Sequence, residues 1–325
     1  MKRFGALEDG REVHAITLGE SGGLLAEVLT YGGILRRLVV PVRGMERDVV
    51  LTLPDLDAYV RDATFQGVIV GRVANRIAGA QFEIDGRAYR VTANEGANHL
   101  HGGRLGFGKK LWRVVDLESP SRLVLGLLSP DGDEGYPGNL EVTAEFVVTG
   151  SALTVKFEAT CDRATPVAMI YHPYFHLGGE QQLRIAAGSY LPVRDAALIP
   201  TGEKASVGGT PFDFRRPRGV NAAQLASSSH QQLQLASGYD HCFVLDSKRL
   251  FDAEVDSPTA GIRLRVLSDQ PALQFYGGQH LEAGRTGLCL EPGAPPNAVN
   301  DPELGSVVLR PGTTYRARIE YRFGD

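Results

Sequence analysis

The chain has 325 residues, 43% of them hydrophobic, and 34 Lys and Arg against 38 Asp and Glu give it a formal net charge of −4. That length leaves room for a sizeable core, and the slight acidity, without any long run of Lys or Arg, argues against nucleic acid as a partner. Cys161, Cys242 and Cys289 are odd in number and lack Cys-x-x-Cys spacing, which favours reduced thiols in a cytoplasmic protein over a disulfide framework or zinc cluster.

In chain order, residues 1–11 carry scattered charges and no continuous apolar run, so neither a secretory signal nor a membrane anchor is expected. The only modest helix is predicted around residues 55–62. Val68-Ile69-Val70 then leads into Gly71-Arg72-Val73-Ala74-Asn75-Arg76-Ile77. There the amide of Asn75 and the guanidinium of Arg76 offer fixed donors suited to hydroxyl oxygens, unless Arg76 is a buried cation paired to a carboxylate. Asp85-Gly86 between two short apolar-alternating runs reads as a tight hairpin.

In Asn98-His99-Leu100-His101-Gly102-Gly103, an extended strand would turn His99 and His101 to one face. The same rule would align His172, Tyr174 and His176 in Tyr171-His172-Pro173-Tyr174-Phe175-His176. These histidines suit acid–base work, structural hydrogen bonding or, less well without a helically spaced Glu or a Cys cluster, a metal. The Gly-rich stretch 101–108 fits no dinucleotide fingerprint and is read as a loop.

Period-2 alternation marks half-buried strands at 153–159, 262–266 and 315–321, and Gly150-Ser151 joins 141–148 to 153–159 as a second hairpin. Residues 207–229 read as loop. Asp240 leads into the apolar run of residues 241–245, where it holds a ligand hydroxyl or caps a turn. Glu291 follows Leu288-Cys289-Leu290 and precedes Pro292, so it sits at the end of a buried strand. Desolvation there would raise its pKa and suit it as a general base; the alternative is a strand-end Glu paired with a buried Arg. These elements predict an all-β protein: one large antiparallel β-sandwich over residues 1–325, with few short helices.

Taken in order, residues 71–77, 98–103, His172-Pro173-Tyr174-Phe175, Tyr239-Asp240-His241, 272–276, Leu290-Glu291-Pro292, 296–300 and 309–312 resemble the aldose 1-epimerase family. That resemblance implies a galactose mutarotase-like antiparallel β-sandwich and the interconversion of α and β anomers of a free aldose such as galactose or glucose. By position it makes His172 the general acid, Glu291 the general base and His101 a second imidazole at the sugar ring, with Asn75, Arg76, Tyr174, Asp240 and Gln274 contacting the sugar. Such an acid–base pair is expected to start as carboxylate and imidazolium. The reaction is redox-neutral, so no metal or other cofactor is expected. The chain is expected to meet a small monosaccharide as a monomer or homodimer, without nucleic acid or membrane. A phosphosugar 1-epimerase, a glycosidase using Asp240 and Glu291, and a non-catalytic sugar-binding protein on the same fold are the rival readings. Tyr171, His176 and Gly293 stand where the family commonly has Asn, Asn and Gln.

Overall fold

A computed structural model describes residues 1–220, 229–282 and 284–324. Its largest sheet has nine antiparallel strands in the order Arg113–Glu118, Arg122–Ser129, Leu140–Thr149, Ala152–Cys161, Tyr315–Phe323, Ile262–Ser268, Ala253–Ser257, Gln182–Ile185 and Arg218–Gly219. The alternation in the sequence accounts for its packing: along Leu140–Thr149 every second residue is buried, and Val142 and Ala144 pair with Ala159 and Phe157 on the same face. The hairpin at Gly150-Ser151 sets that register, and Asp85-Gly86 likewise joins Gln81–Ile84 to Arg87–Arg90.

A second sheet is a five-stranded antiparallel array from Lys2–Ala6 to Met45–Asp48. A third, ordered Ala205–Ser206, Ser189–Leu191, Asp240–Val244, Ala272–Tyr276 and Cys289–Gly293, carries much of the functional site. One hydrophobic cluster joins all three, from Ile16 and Val28 through Phe146 and Phe157 to Phe243, Phe275 and Leu290. The antiparallel β-sandwich architecture expected from the sequence is therefore the one observed. The loop reading of residues 207–229 lies partly outside the described residues.

The short helix Leu56–Arg61 begins where Asp55 accepts the Ala58 N–H at 2.8 Å, satisfying one of the free donors of a helix start. No helix among the described residues is long and apolar enough to cross a membrane.

Candidate active site

Strand parity explains why polar groups gather on one face of the third sheet. Asp240 pairs with Tyr276 and Tyr276 with Cys289; Cys242 pairs with Gln274 and Gln274 with Glu291. Side chains opposite one another across strands share a face, so Asp240, Tyr276, Cys289, Gln274 and Glu291 all project together. The alternate residues, Phe243, Leu273, Phe275 and Leu290, are fully buried in the core on the other face. His241 has the same parity as Phe243; it packs on Phe212 with ring centres 4.7 Å apart and takes no part in the cavity.

The histidines reach this face from two other places. Ile170–Tyr171 pairs with Ile69–Val70, which delivers His172 beside the motif that ends in Asn75 and Arg76. His99–Leu100 pairs with Arg76–Ile77. At His101 the backbone turns left-handed, with φ of 50°, and the period of the strand is lost. His99 and His101 therefore part, contrary to the shared face expected for an extended strand. His99 is buried between the Thr92 carbonyl oxygen and the Tyr136 hydroxyl, both 2.7 Å from its ring nitrogens, whereas His101 enters the cavity.

Glycine permits this turn. A Cβ on Gly102, where φ is +83°, would lie 1.7 Å from the carbonyl oxygen of Gly71. Gly102→Ala is expected to cost about 2 kcal/mol or more from overpacking and backbone strain. A urea melt with an unchanged midpoint would contradict this account of the turn.

The resulting cavity holds about 290 Å³, and its walls include Thr64, Phe65, Asn75, Arg76, Glu95, His101, His172, Tyr174, Asp240, Tyr276, His280 and Glu291. At its centre His172 Nε2 lies 3.4 Å from Glu291 Oε1. The His101 ring meets the His172 ring edge-on, 5.3 Å between centres. Its Nδ1 accepts the Asn75 backbone N–H at 3.3 Å, so the neutral ring carries its proton on Nε2 and is a hydrogen-bond donor. Arg76 is held as a fork, with Nε and one terminal nitrogen each 2.7 Å from a Glu95 oxygen and the other terminal nitrogen 3.4 Å from Asp240. The Gln274 amide donates to Asp240 at 2.6 Å.

A pinned loop supplies the remaining wall. The Asp62 carboxylate accepts from Thr64 N, Thr64 Oγ1 and Gln66 N, while Lys109 Nζ donates to the carbonyls of Tyr59, Val60 and Asp62. Between these clamps Phe65 adopts φ of 59°, and its ring sits 4.6 Å from that of His101 and 6.2 Å from that of His172. The Tyr174 hydroxyl donates to the Thr64 carbonyl at 2.7 Å and secures the same loop.

Burial sets the protonation of the centre. Desolvation first, then the negative charge of Asp240, pushes the Glu291 carboxyl well above its ordinary range, with Arg76 opposing. Desolvation lowers His172 to about 4. His101 is pushed well below its ordinary value by burial and then by His172 and Arg76. These shifts run toward a protonated Glu291 and a neutral His172, the opposite direction from the carboxylate–imidazolium pair expected from the sequence. Both forms contain one transferable proton and one vacant base, and the uncharged form is the one a desolvated site prefers.

Of the residues singled out from the sequence, Asn75, Arg76, His101, His172, Tyr174, Asp240 and Glu291 line the cavity. Gln274 does not; it stands behind Asp240 and holds that carboxylate. Arg76 satisfies both of its open readings, being ion-paired and cavity-lining. Arg72 is structural, giving hydrogen bonds to Ser129, Pro130, Pro137 and Thr165. His176 does not line the cavity and lies 3.3 Å from Thr286 Oγ1. The other two departures from the family pattern also sit outside the cavity walls. Tyr171 is buried and donates to the Gly33 carbonyl, and a side chain at Gly293 would meet Ile170 Cγ2 at 2.6 Å.

Sequence reasoning missed Glu95, Phe65 and His280. Glu95 sits in a polar turn without apolar flanks, so nothing in its surroundings marks it; the one available signal was an unpartnered Arg76 in need of an acid. His172, Cys289 and Glu291 bring possible metal-ligand atoms within 4.8 Å of one another. The two His172 nitrogens face different partners, Glu291 at Nε2 and Cys289 at Nδ1, so no single ring nitrogen is turned toward both. A single ion would have to break that arrangement.

Comparison with known proteins agrees with this geometry. Residues 14–322 match the family model described as aldose 1-epimerase. The chain is 36% identical to a human protein named galactose mutarotase, over 98% of this chain and 97% of that one. It is 34% identical to an Escherichia coli aldose 1-epimerase, over 97% and 96% of the two chains. The crystal structure of a galactose 1-epimerase from Lactobacillus acidophilus superposes with a TM-score of 0.88 at 29% identity, covering 99% of this chain and 97% of the other. With the family model matched over residues 14–322 and these relatives matched over nearly their whole length, this chain belongs to the aldose 1-epimerase family and is an isomerase.

Proposed function

We propose that the protein interconverts the α and β anomers of a free hexose such as galactose or glucose, with Glu291 and His172 as its proton-transfer pair. The approach of His172 Nε2 to Glu291 Oε1, 3.4 Å at the cavity wall, carries this reading. Relatives named galactose mutarotase support the substrate class.

As the sugar enters, the shared proton moves from Glu291 to His172, and Arg76 and the sugar hydroxyls support the carboxylate left behind. Glu291 then removes the proton from the C1 hydroxyl. The C1–ring-oxygen bond breaks with its electron pair on the ring oxygen, which takes the proton from His172 Nε2 as the C1 carbonyl forms. Rotation about C1–C2 presents the other carbonyl face. Closure returns the ring-oxygen proton to His172, and the new C1 hydroxyl takes its proton from Glu291. His101, neutral with Nε2–H, donates to oxygen at the reacting end. Arg76, Asp240 and Asn75 hold the remaining hydroxyls.

A phosphosugar fits this cavity poorly. Glu95, Asp240 and Glu291 line it against one guanidinium, and Arg76 is already engaged by two of those acids. Phosphate would add negative charge with no free Lys or Arg among the described lining residues to receive it.

Polarimetry of freshly dissolved α-galactose and α-glucose tests the proposal: equilibration should accelerate, while aryl glycosides should release no aglycone. Aglycone release without faster mutarotation would favour a glycosidase. Glu95→Ala should raise KM about tenfold with a smaller change in kcat, because it frees the Arg76 fork that positions substrate, a loss on the scale of one charged hydrogen bond. Equal KM in the two proteins would show that Arg76 needs no such support.

A further inference from the structure

Both nitrogens of His172 are occupied, and both occupants come from one strand. Glu291 faces Nε2 at 3.4 Å, and the sulfur of Cys289 faces Nδ1 at 3.6 Å. Two residues apart on Cys289–Gly293, the thiol and the carboxyl project from the same face and grip the imidazole at both ends. Cys289 is fully buried and does not line the cavity, so substrate has no need of it. Its thiol is a soft, uncharged partner, unlike the carboxylate that orients many catalytic histidines.

We infer that Cys289 is the positioning residue of His172: its sulfur accepts the Nδ1–H and reserves Nε2 for proton exchange with Glu291 and the sugar. This rests on His172 being the proton donor proposed above. A histidine that alternates between acid and base at Nε2 keeps its Nδ1 proton throughout, so a single acceptor serves both charge states. Because that acceptor is neutral, the imidazolium remains a strong acid, which suits protonation of a weakly basic ring oxygen. A carboxylate in its place would stabilise the imidazolium and blunt it. The other titratable groups around the ring are His101 across the cavity, Tyr174 on the same chain segment and Asp62 in the pinned loop. Burial keeps the Cys289 thiol well above its ordinary pKa and therefore protonated.

The test combines steady-state kinetics across pH with NMR of the His172 ring nitrogens in the wild type, Cys289→Ala, Cys289→Asp and His172→Asn. Cys289→Ala should lower kcat roughly tenfold with KM little changed, the usual scale for removing a histidine's orienting partner. The ring, held as the Nδ1–H tautomer in the wild type, should become a mixture. Cys289→Asp should move the acidic limb of the pH–rate profile upward by about one unit. A Cys289→Ala protein with wild-type kcat and an unchanged tautomer overturns the inference. So does one that loses only thermal stability, since that is a packing role. If Cys289→Ala does not fold, an unshifted limb in Cys289→Asp overturns it equally. Wild-type turnover by His172→Asn would instead refute the role of His172, and the tautomer in Cys289→Ala would still report whether the thiol orients the ring.

Discussion

Glu291→Gln is expected to lower kcat by roughly 100- to 10,000-fold, the range over which one acid–base group contributes. Gln keeps the shape of the side chain and can still hydrogen-bond to a sugar hydroxyl, but it cannot accept the C1 proton. On the proposed function Asn75, Arg76 and Asp240 hold the sugar as well, so KM should move far less than kcat, the pattern of an interaction needed mainly in the transition state. The melting temperature should hold. Burial already favours the uncharged carboxyl at Glu291, and a neutral amide of the same size imposes no new desolvation cost. Polarimetric rates on α-galactose with a parallel melt separate these effects. A variant as fast as the wild type would remove Glu291 from the chemistry and leave a binding site.

How far the sequence could reveal this site depended on whether the local period survived. Apolar flanks marked Asp240 and Glu291; Asp240 does begin its strand, but Glu291 lies in the middle of Cys289–Gly293, with Pro292 still paired to Leu273 rather than ending the ladder, and alternation along the paired strands carries both acids to one face with Tyr276 and Cys289. The same reasoning failed at His99 and His101, because the left-handed turn at His101 cancels the alternation that the argument assumes. The resemblance put Gln274 at the sugar; its pairing with Glu291 across the sheet and the donation of its amide nitrogen to Asp240 were invisible in one dimension. Phe65 depends on distant clamps at Asp62 and Lys109, so no local pattern could mark it.

The protonation of the centre was legible only in part. A desolvated Glu with a raised pKa followed from its flanks, but His172 was expected to draw charge from its neighbour. Its burial among Phe65, His101 and Tyr174 pulls the other way. Burial penalises the two ionised forms together and so favours the state with the pair's one proton on the carboxyl.

That state makes a second strong prediction about His172. In the wild type, kcat/KM should fall on the acid side near pH 4, where His172 takes up a second proton and the pair has no vacant base. On the alkaline side it should fall as Glu291, whose pKa is raised, gives up the only transferable proton. Activity should therefore persist through pH 5, where a water-exposed histidine of ordinary pKa would already be mostly charged. His172→Asn should lose at least ~100-fold in kcat and should abolish the limb near 4, because Asn neither accepts nor delivers a proton there. An acidic limb near the ordinary histidine value would mean that His172 is not desolvated in the working enzyme. A limb near 4 that survives in His172→Asn would assign that titration to another group. The two outcomes probe different links, since the first concerns the burial that Phe65 and its pinned loop impose and the second concerns the identity of the acid.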